Sequence, residues 1–67
     1  MKAEELREMS DDDLRDKINE IKESVFRMRF KLSLGNTDVV SQLREQRKDL
    51  ARVKTLLRER EIAAGQE

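Results

Sequence analysis

Gly35 and Asn36 form the one strong break in a long run of helix-forming sequence, and apolar residues repeat on both sides of it. The repeat advances in steps of four and three residues, which is the spacing of a helix seam. When the chain is folded at this break, the two halves share one register. The predicted pairs are Leu32 with Val39, Met28 with Leu43, Val25 with Gln46, Ile21 with Leu50, Ile18 with Val53, and Leu14 with Leu57.

Two unrelated helices would rarely share a register in this way, so the pattern predicts an antiparallel hairpin. The fold class is therefore all-α, a long antiparallel two-helix hairpin with a short N-terminal helix, forming a single domain over residues 1–67. We expect helices at about 2–8, 11–34 and 38–63, with the turn at 35–37. The absence of proline fits long uninterrupted helices.

Local signals are expected at the helix ends. Ser10 suits the N-cap of the second helix, because its hydroxyl can accept a hydrogen bond from a free N–H of the first turn. Gly35 suits the left-handed position that ends that helix. Thr37 or Asp38 is expected to cap the third helix.

The open end of the hairpin has its own prediction. The seam register would also pair Met9 with Ile62. The short N-terminal helix would then close this end. At the seam itself, Gln46 either fixes the register against Val25 or extends to water, and we favour the second interpretation.

Composition excludes several classes of function. The chain has no Cys, His or Tyr to act as a nucleophile or base, and a two-helix seam forms no deep pocket. We therefore expect no enzyme, no small-molecule substrate and no cofactor. No apolar run approaches the roughly 18–20 residues that span a bilayer, and no signal peptide is visible, so no membrane partner and a cytoplasmic location are expected.

Three consecutive aspartates, Asp11 to Asp13, raise the question of a metal site. The favoured interpretation is structural, because carboxylates in a first turn complement the positive end of the helix dipole. No other ligand group lies near in sequence. We therefore expect no metal.

The charges are segregated although the net charge is zero. Residues 1–24 carry five basic and nine acidic side chains, whereas residues 25–60 carry ten basic and four acidic ones. The zero total argues against a polyanionic partner, but the segregation argues for one.

One flank of the third helix is predicted to be a basic stripe. At about 100° per residue, five cations fall on one side of the seam in a sector that holds no acid. Ala51 and Thr55 lie in the same sector. A stripe of this kind can lie against a phosphate backbone. The alternative is a solvated face with charge pairs one turn apart. The basic stripe consists of Arg44, Arg47, Lys48, Lys54 and Arg58.

An apolar patch is predicted on the far side of the second helix. Phe26, Phe30 and Leu34 point away from the seam, with Arg27, Arg29 and Lys31 around them. An apolar patch with a positive rim is typical of a docking surface. One alternative is off-register packing that buries one phenylalanine. Stacking of the aromatic rings on bases is ranked lower.

Three segments resemble a known family. Residues 46–56, Gln-Arg-Lys-Asp-Leu-Ala-Arg-Val-Lys-Thr-Leu, closely resemble the signature of the bacterial ribosomal large-subunit protein twenty-nine family. The start, Met1-Lys2-Ala3 with Glu5-Leu6-Arg7, resembles the opening of that family. Phe26-Arg27-Met28-Arg29-Phe30 resembles its mid-chain motif.

The resemblance implies a structural constituent of the large ribosomal subunit that binds ribosomal RNA near the polypeptide exit tunnel. It also implies contact with a neighbouring ribosomal protein there. Matched by motif, the best candidates for RNA contact are Arg47, Lys48, Arg52, Lys54 and Thr55, although Asp49 can neutralise Arg52. Arg27, Arg29 and Lys31 at the turn end are further candidates. The alternative function is a protein–protein interaction module that oligomerises into a helical bundle through the phenylalanine patch.

Overall fold

The computed structural model describes residues 2–65, which form two long helices and one short one. Helix α1 spans Ala3–Glu8, α2 spans Asp11–Ser33 and α3 spans Val40–Gly65, with a single 3₁₀ turn at Thr37–Val39 before α3. The long helices pack against each other in an elongated molecule of 51 × 18 × 16 Å. The predicted all-α hairpin with a short N-terminal helix is confirmed. Residues 1, 66 and 67 of the predicted domain lie outside the described part.

The two ends of α2 are fixed by local hydrogen bonds. The Ser10 hydroxyl accepts from the Asp13 N–H at 3.1 Å, so Ser10 is the N-cap that the sequence predicts. At the other end Gly35 has a φ of +93°. The Gly35 N–H donates to the Leu32 carbonyl at 2.9 Å, and the Asn36 N–H donates to the Lys31 carbonyl at 3.1 Å. This is the left-handed glycine cap that stops a helix and turns the chain.

The start of α3 differs from the prediction. Neither Thr37 nor Asp38 caps it, because both lie within the 3₁₀ turn. Asn36 caps that turn instead, with its side-chain oxygen accepting from the Asp38 N–H at 3.3 Å. The turn tightens the chain before the α-helix begins, so regular α-helix starts at Val40, two residues later than expected.

The hairpin seam follows the predicted positions. Every seam position is buried or half-buried, and Leu14 and Val53 are fully enclosed. Gln46 is half-buried and lines two open surface depressions. It forms no hydrogen bond with residues 2–65, so its exposure to water agrees with the favoured interpretation. The central apolar cluster comprises Leu6, Leu14, Ile21, Val25, Val53 and Leu57.

The open end of the hairpin departs from the expectation. Ile62 is 50% exposed, so the seam does not extend to a Met9–Ile62 pair. Helix α1 instead lies beside α3, where Leu6 is only 2% exposed and the half-buried Leu56 packs against the same cluster. Leu56 falls outside the hairpin seam, and it therefore gives α3 a second apolar contact.

Arg60 holds α1 in this place. Its Nη1 donates to the Met9 carbonyl at 2.7 Å and to Asp11 Oδ1 at 3.0 Å. Its Nη2 donates to the Arg7 carbonyl at 2.9 Å. One guanidinium therefore joins the end of α1, the start of α2 and α3, using the fork geometry that distinguishes arginine from lysine.

Candidate nucleic-acid interface

The basic stripe is exposed along α3, and all five of its cations reach solvent. Lys48 Nζ lies 3.8 Å from Glu45 Oε1, an ion pair within one turn. The other four, Arg44, Arg47, Lys54 and Arg58, form no ion pair with an acidic side chain in residues 2–65. The alternative was a solvated face with charge pairs one turn apart. Lys48 has such a pair, and the other four cations of the stripe do not.

Two grooves run along the same side of α3 and meet at Ala51. The first, of about 460 Å³, is lined by Val40, Leu43, Arg44, Arg47, Lys48 and Ala51. The second, of about 320 Å³, lies between α1 and α3 and is lined by Ala3, Leu6, Arg7, Ala51, Arg52, Thr55, Leu56 and Glu59. A small side chain where the grooves meet leaves room for a ligand backbone between the long basic side chains.

Arg52 and Thr55 line the second groove and not the first. Arg52 Nη1 lies 3.6 Å from Asp49 Oδ1, so Asp49 pairs with it as the sequence suggests. Both Arg52 and the exposed Thr55 line the second groove. Arg7, which is not among the predicted RNA contacts, lines this groove from the α1 side. The seam register does not predict the position of Arg7, because α1 packs outside that register.

The three basic residues at the turn end are all exposed. At about 100° per residue, Arg29 projects on one flank of α2, while Arg27 and Lys31 project on the other. The three residues therefore flank the phenylalanine patch from opposite sides, and they remain predicted RNA contacts.

The apolar patch is exposed as the sequence predicts. Phe26 is 72% exposed, Phe30 is 62% exposed and Leu34 is 72% exposed. The alternative in which one phenylalanine enters the core is therefore wrong. Because these three residues follow one another at four-residue intervals on a helix, they share its outer side at the turn end.

The aspartate run has structural roles. Asp12 pairs with Arg15 at 3.2 Å, and Asp11 pairs with Arg60 at 3.0 Å. The backbone N–H of Asp13 binds the Ser10 cap. Across the described residues, no group of three or more His, Cys, Asp or Glu side chains is arranged to hold a metal ion. None of the helices in this part is both long enough and apolar enough to cross a bilayer.

Comparison with known proteins identifies the family. The family model described as Ribosomal L29 protein matches residues 4–60. The chain is 52% identical over 63 residues to large ribosomal subunit protein uL29 of Carboxydothermus hydrogenoformans, covering 94% of this chain and 91% of that protein. It is 47% identical over 65 residues to uL29 of a Geobacillus species, covering 97% and 96%. It is 44% identical over 63 residues to uL29 of Persephonella marina, covering 94% and 93%.

These relatives agree with the motif resemblance and with the length of the chain. Their names describe them as proteins of the large ribosomal subunit. The matched region includes the basic stripe, the turn and the phenylalanine patch. The chain therefore belongs to the ribosomal L29 protein family, and it is a structural protein of the ribosome, in the cytoplasm, with no catalytic role.

Proposed function

We propose that this chain is a structural constituent of the large ribosomal subunit that binds ribosomal RNA near the polypeptide exit tunnel. The stripe on α3 supplies the contact. The observation that carries the proposal is that Arg44, Arg47, Lys54 and Arg58 project from one side of one helix with no acidic partner in residues 2–65. Cations left free in this way are available to replace counterions on a phosphate backbone.

The grooves beside the stripe support direct contact with an RNA sugar-phosphate backbone, in addition to long-range electrostatic attraction. Val40, Leu43 and Ala51 form a low floor, and Arg44, Arg47 and Lys48 stand around it. A sugar-phosphate strand can approach this floor while the guanidinium and ammonium groups donate hydrogen bonds to phosphate oxygens. Such contacts position the protein on RNA without reading base sequence.

The phenylalanine patch supplies a second surface. We propose that Phe26, Phe30 and Leu34 dock a neighbouring ribosomal protein at the tunnel exit. Phe26 and Phe30 on α2 and Leu34, which directly follows α2, are each more than half exposed. A contiguous apolar patch on a small protein is typical of an interaction site. Arg27 and Lys31 flank this patch and remain predicted RNA contacts outside the stripe.

The test combines charge reversal with sedimentation. The variant Arg47→Glu with Lys48→Glu is compared with Lys2→Glu with Lys17→Glu, which changes the net charge equally but away from the stripe. In a sucrose gradient of cell lysate, wild type and control are expected with the large subunit at moderate salt. The stripe variant is expected near the top, with nearly unchanged helicity by circular dichroism.

Other outcomes separate the alternatives. Equal loss of helicity would mean that Arg47 and Lys48 are structural and that the face assignment is wrong. A wild-type chain that stays near the top of the gradient as a small oligomer would contradict the ribosomal proposal. That result would favour the helical-bundle module built on the phenylalanine patch.

A further inference from the structure

The hairpin has two broad faces, one on each side of its seam. A groove lined by residues of both long helices shows which flank of α2 lies beside which flank of α3. A groove of about 200 Å³ is lined by Lys17, Glu20 and Ser24 of α2 together with Gln46 and Asp49 of α3. These residues define the mixed face, where acids and bases are interspersed. Because each helix has two flanks beside its seam, the remaining flanks must share the opposite face.

The opposite face carries cations from both helices. At about 100° per residue, Lys22 and Arg29 fall about 60–80° to the other side of the α2 seam from Lys17 and Ser24. That is the side shared with the basic stripe of α3. Both are exposed, and neither forms an ion pair with residues 2–65. Arg15 lies farther along the same row but is paired with Asp12 at 3.2 Å.

This two-helix basic face therefore consists of two rows. Lys22 and Arg29 form the α2 row, seven residues or about 10 Å apart along the helix. Arg44, Arg47, Lys54 and Arg58 form the α3 row. Packed helices have axes about 8–10 Å apart, so the rows are separated by a comparable distance. The acid on the α2 flank of this face, Asp11, is at the open end and is bound by Arg60.

We propose that the two-helix basic face binds double-stranded RNA, with each row of cations facing the phosphates of a different strand. This inference rests on the proposed RNA-binding function and specifies the class of RNA. A single strand offers one line of phosphates, which one row can follow, whereas two separated rows match the two strands of a helix. Double-stranded RNA is recognised mainly through its shape, its phosphates and its 2′-hydroxyl groups.

The position of the aromatic side chains supports a duplex. Proteins that hold single strands combine a basic groove with aromatic rings on which the bases stack. The chain has two aromatic residues, Phe26 and Phe30, and both belong to the outer patch on α2. Between the rows, helical projection places the half-buried aliphatic residues Ile18 and Leu43. Aliphatic side chains offer no stacking platform for unpaired bases.

The experiment measures binding of the full-length chain to an RNA stem-loop and to an unstructured single strand of equal length, over a series of salt concentrations. The key variant is Lys22→Ala. Its matched control is Lys17→Ala, on the same helix but on the mixed face, where Lys17 Nζ already lies 3.5 Å from Glu20 Oε2. Circular dichroism checks that both variants keep the wild-type helicity.

Wild type is expected to bind the stem-loop more tightly than the single strand. Lys22→Ala should weaken stem-loop binding severalfold and reduce the slope of log K against log salt by about one, the loss of one phosphate contact. Lys17→Ala should change neither quantity. Equal binding of both RNAs, or equal effects of the two variants, would overturn the two-row proposal while leaving RNA binding intact. Absence of salt-dependent binding to either RNA would instead overturn the proposed function.

Discussion

Arg60 gives the sharpest test of how the three helices are held together. Replacing it with alanine removes three hydrogen bonds, to the carbonyls of Arg7 and Met9 and to the Asp11 carboxylate. The Arg60 side chain is 27% exposed and that of Asp11 is 51% exposed, so solvent weakens the ion pair. Each carbonyl bond contributes about 0.5–1 kcal/mol net at such a site, and the ion pair adds up to about 1 kcal/mol.

Arg60→Ala should therefore lower the free energy that holds α1 against the hairpin by about 2 kcal/mol, with little effect on the hairpin itself. Because a tenfold change in an equilibrium corresponds to about 1.4 kcal/mol, α1 should open about 30 times more often. Amide hydrogen exchange measures this opening residue by residue. The useful reporters are the amides of Leu6 and Met9, which are bonded to the carbonyls of Lys2 and Leu6. The amides of Val53 and Leu57 report on the hairpin itself.

Two variants make the result specific. Arg58→Ala, two residues away on the same helix, removes an exposed arginine with no ion pair in residues 2–65, and it should leave exchange in α1 unchanged. Arg60→Lys keeps the charge but loses the fork, so it should restore only part of the protection. The reasoning would be refuted if Arg60→Ala accelerated Val53 and Leu57 as much as Leu6 and Met9, because Arg60 would then stabilise the whole hairpin.

Two further changes test the turn and the apolar patch. Gly35→Ala should lower the free energy of unfolding by about 1–2 kcal/mol in urea titration, because the φ of +93° strains any residue with a Cβ, although no atom lies within 4 Å of the added carbon. An unchanged urea midpoint would mean that the turn accommodates alanine without loss of folding free energy. Phe30→Ser should shift the isolated chain by no more than about 0.5 kcal/mol, since the side chain is 62% exposed, yet reduce co-sedimentation with large subunits. Collapse of the isolated fold would contradict a docking role.

The hairpin was predictable because its signals are local and repeated. The seam period, the Ser10 cap and the Gly35 turn each follow from neighbouring residues, and the structure shows all three. The start of α3 was not predictable to the residue. Asn36, Thr37 and Asp38 are all good capping residues, so the choice among them depends on how the preceding turn leaves the chain.

The place of α1 was the main feature that the seam register missed. Leu6 and Leu56 are single apolar residues outside the repeat, so no periodicity links them. The Arg60 bonds span about 50 positions in sequence, with separations of 49 to 53 residues, and two of the three end on backbone carbonyls that any residue could offer. A contact of this type leaves no pattern in one sequence. The stripe was visible, because it depends on the period of one helix, but its alignment with Lys22 requires the packed hairpin.

This elongated molecule has a small core, so its stability depends on what its surfaces bind. Six residues form the buried cluster of a chain that is 51 Å long. A chain of this size commonly needs a partner for full stability. A partner that binds the folded state and not the unfolded state shifts the folding equilibrium towards the folded state by mass action. Core changes at Leu14 or Val53 should therefore reduce assembly together with helicity. Changes in the stripe should reduce assembly while helicity remains, and this separation identifies which residues bind RNA and which hold the hairpin.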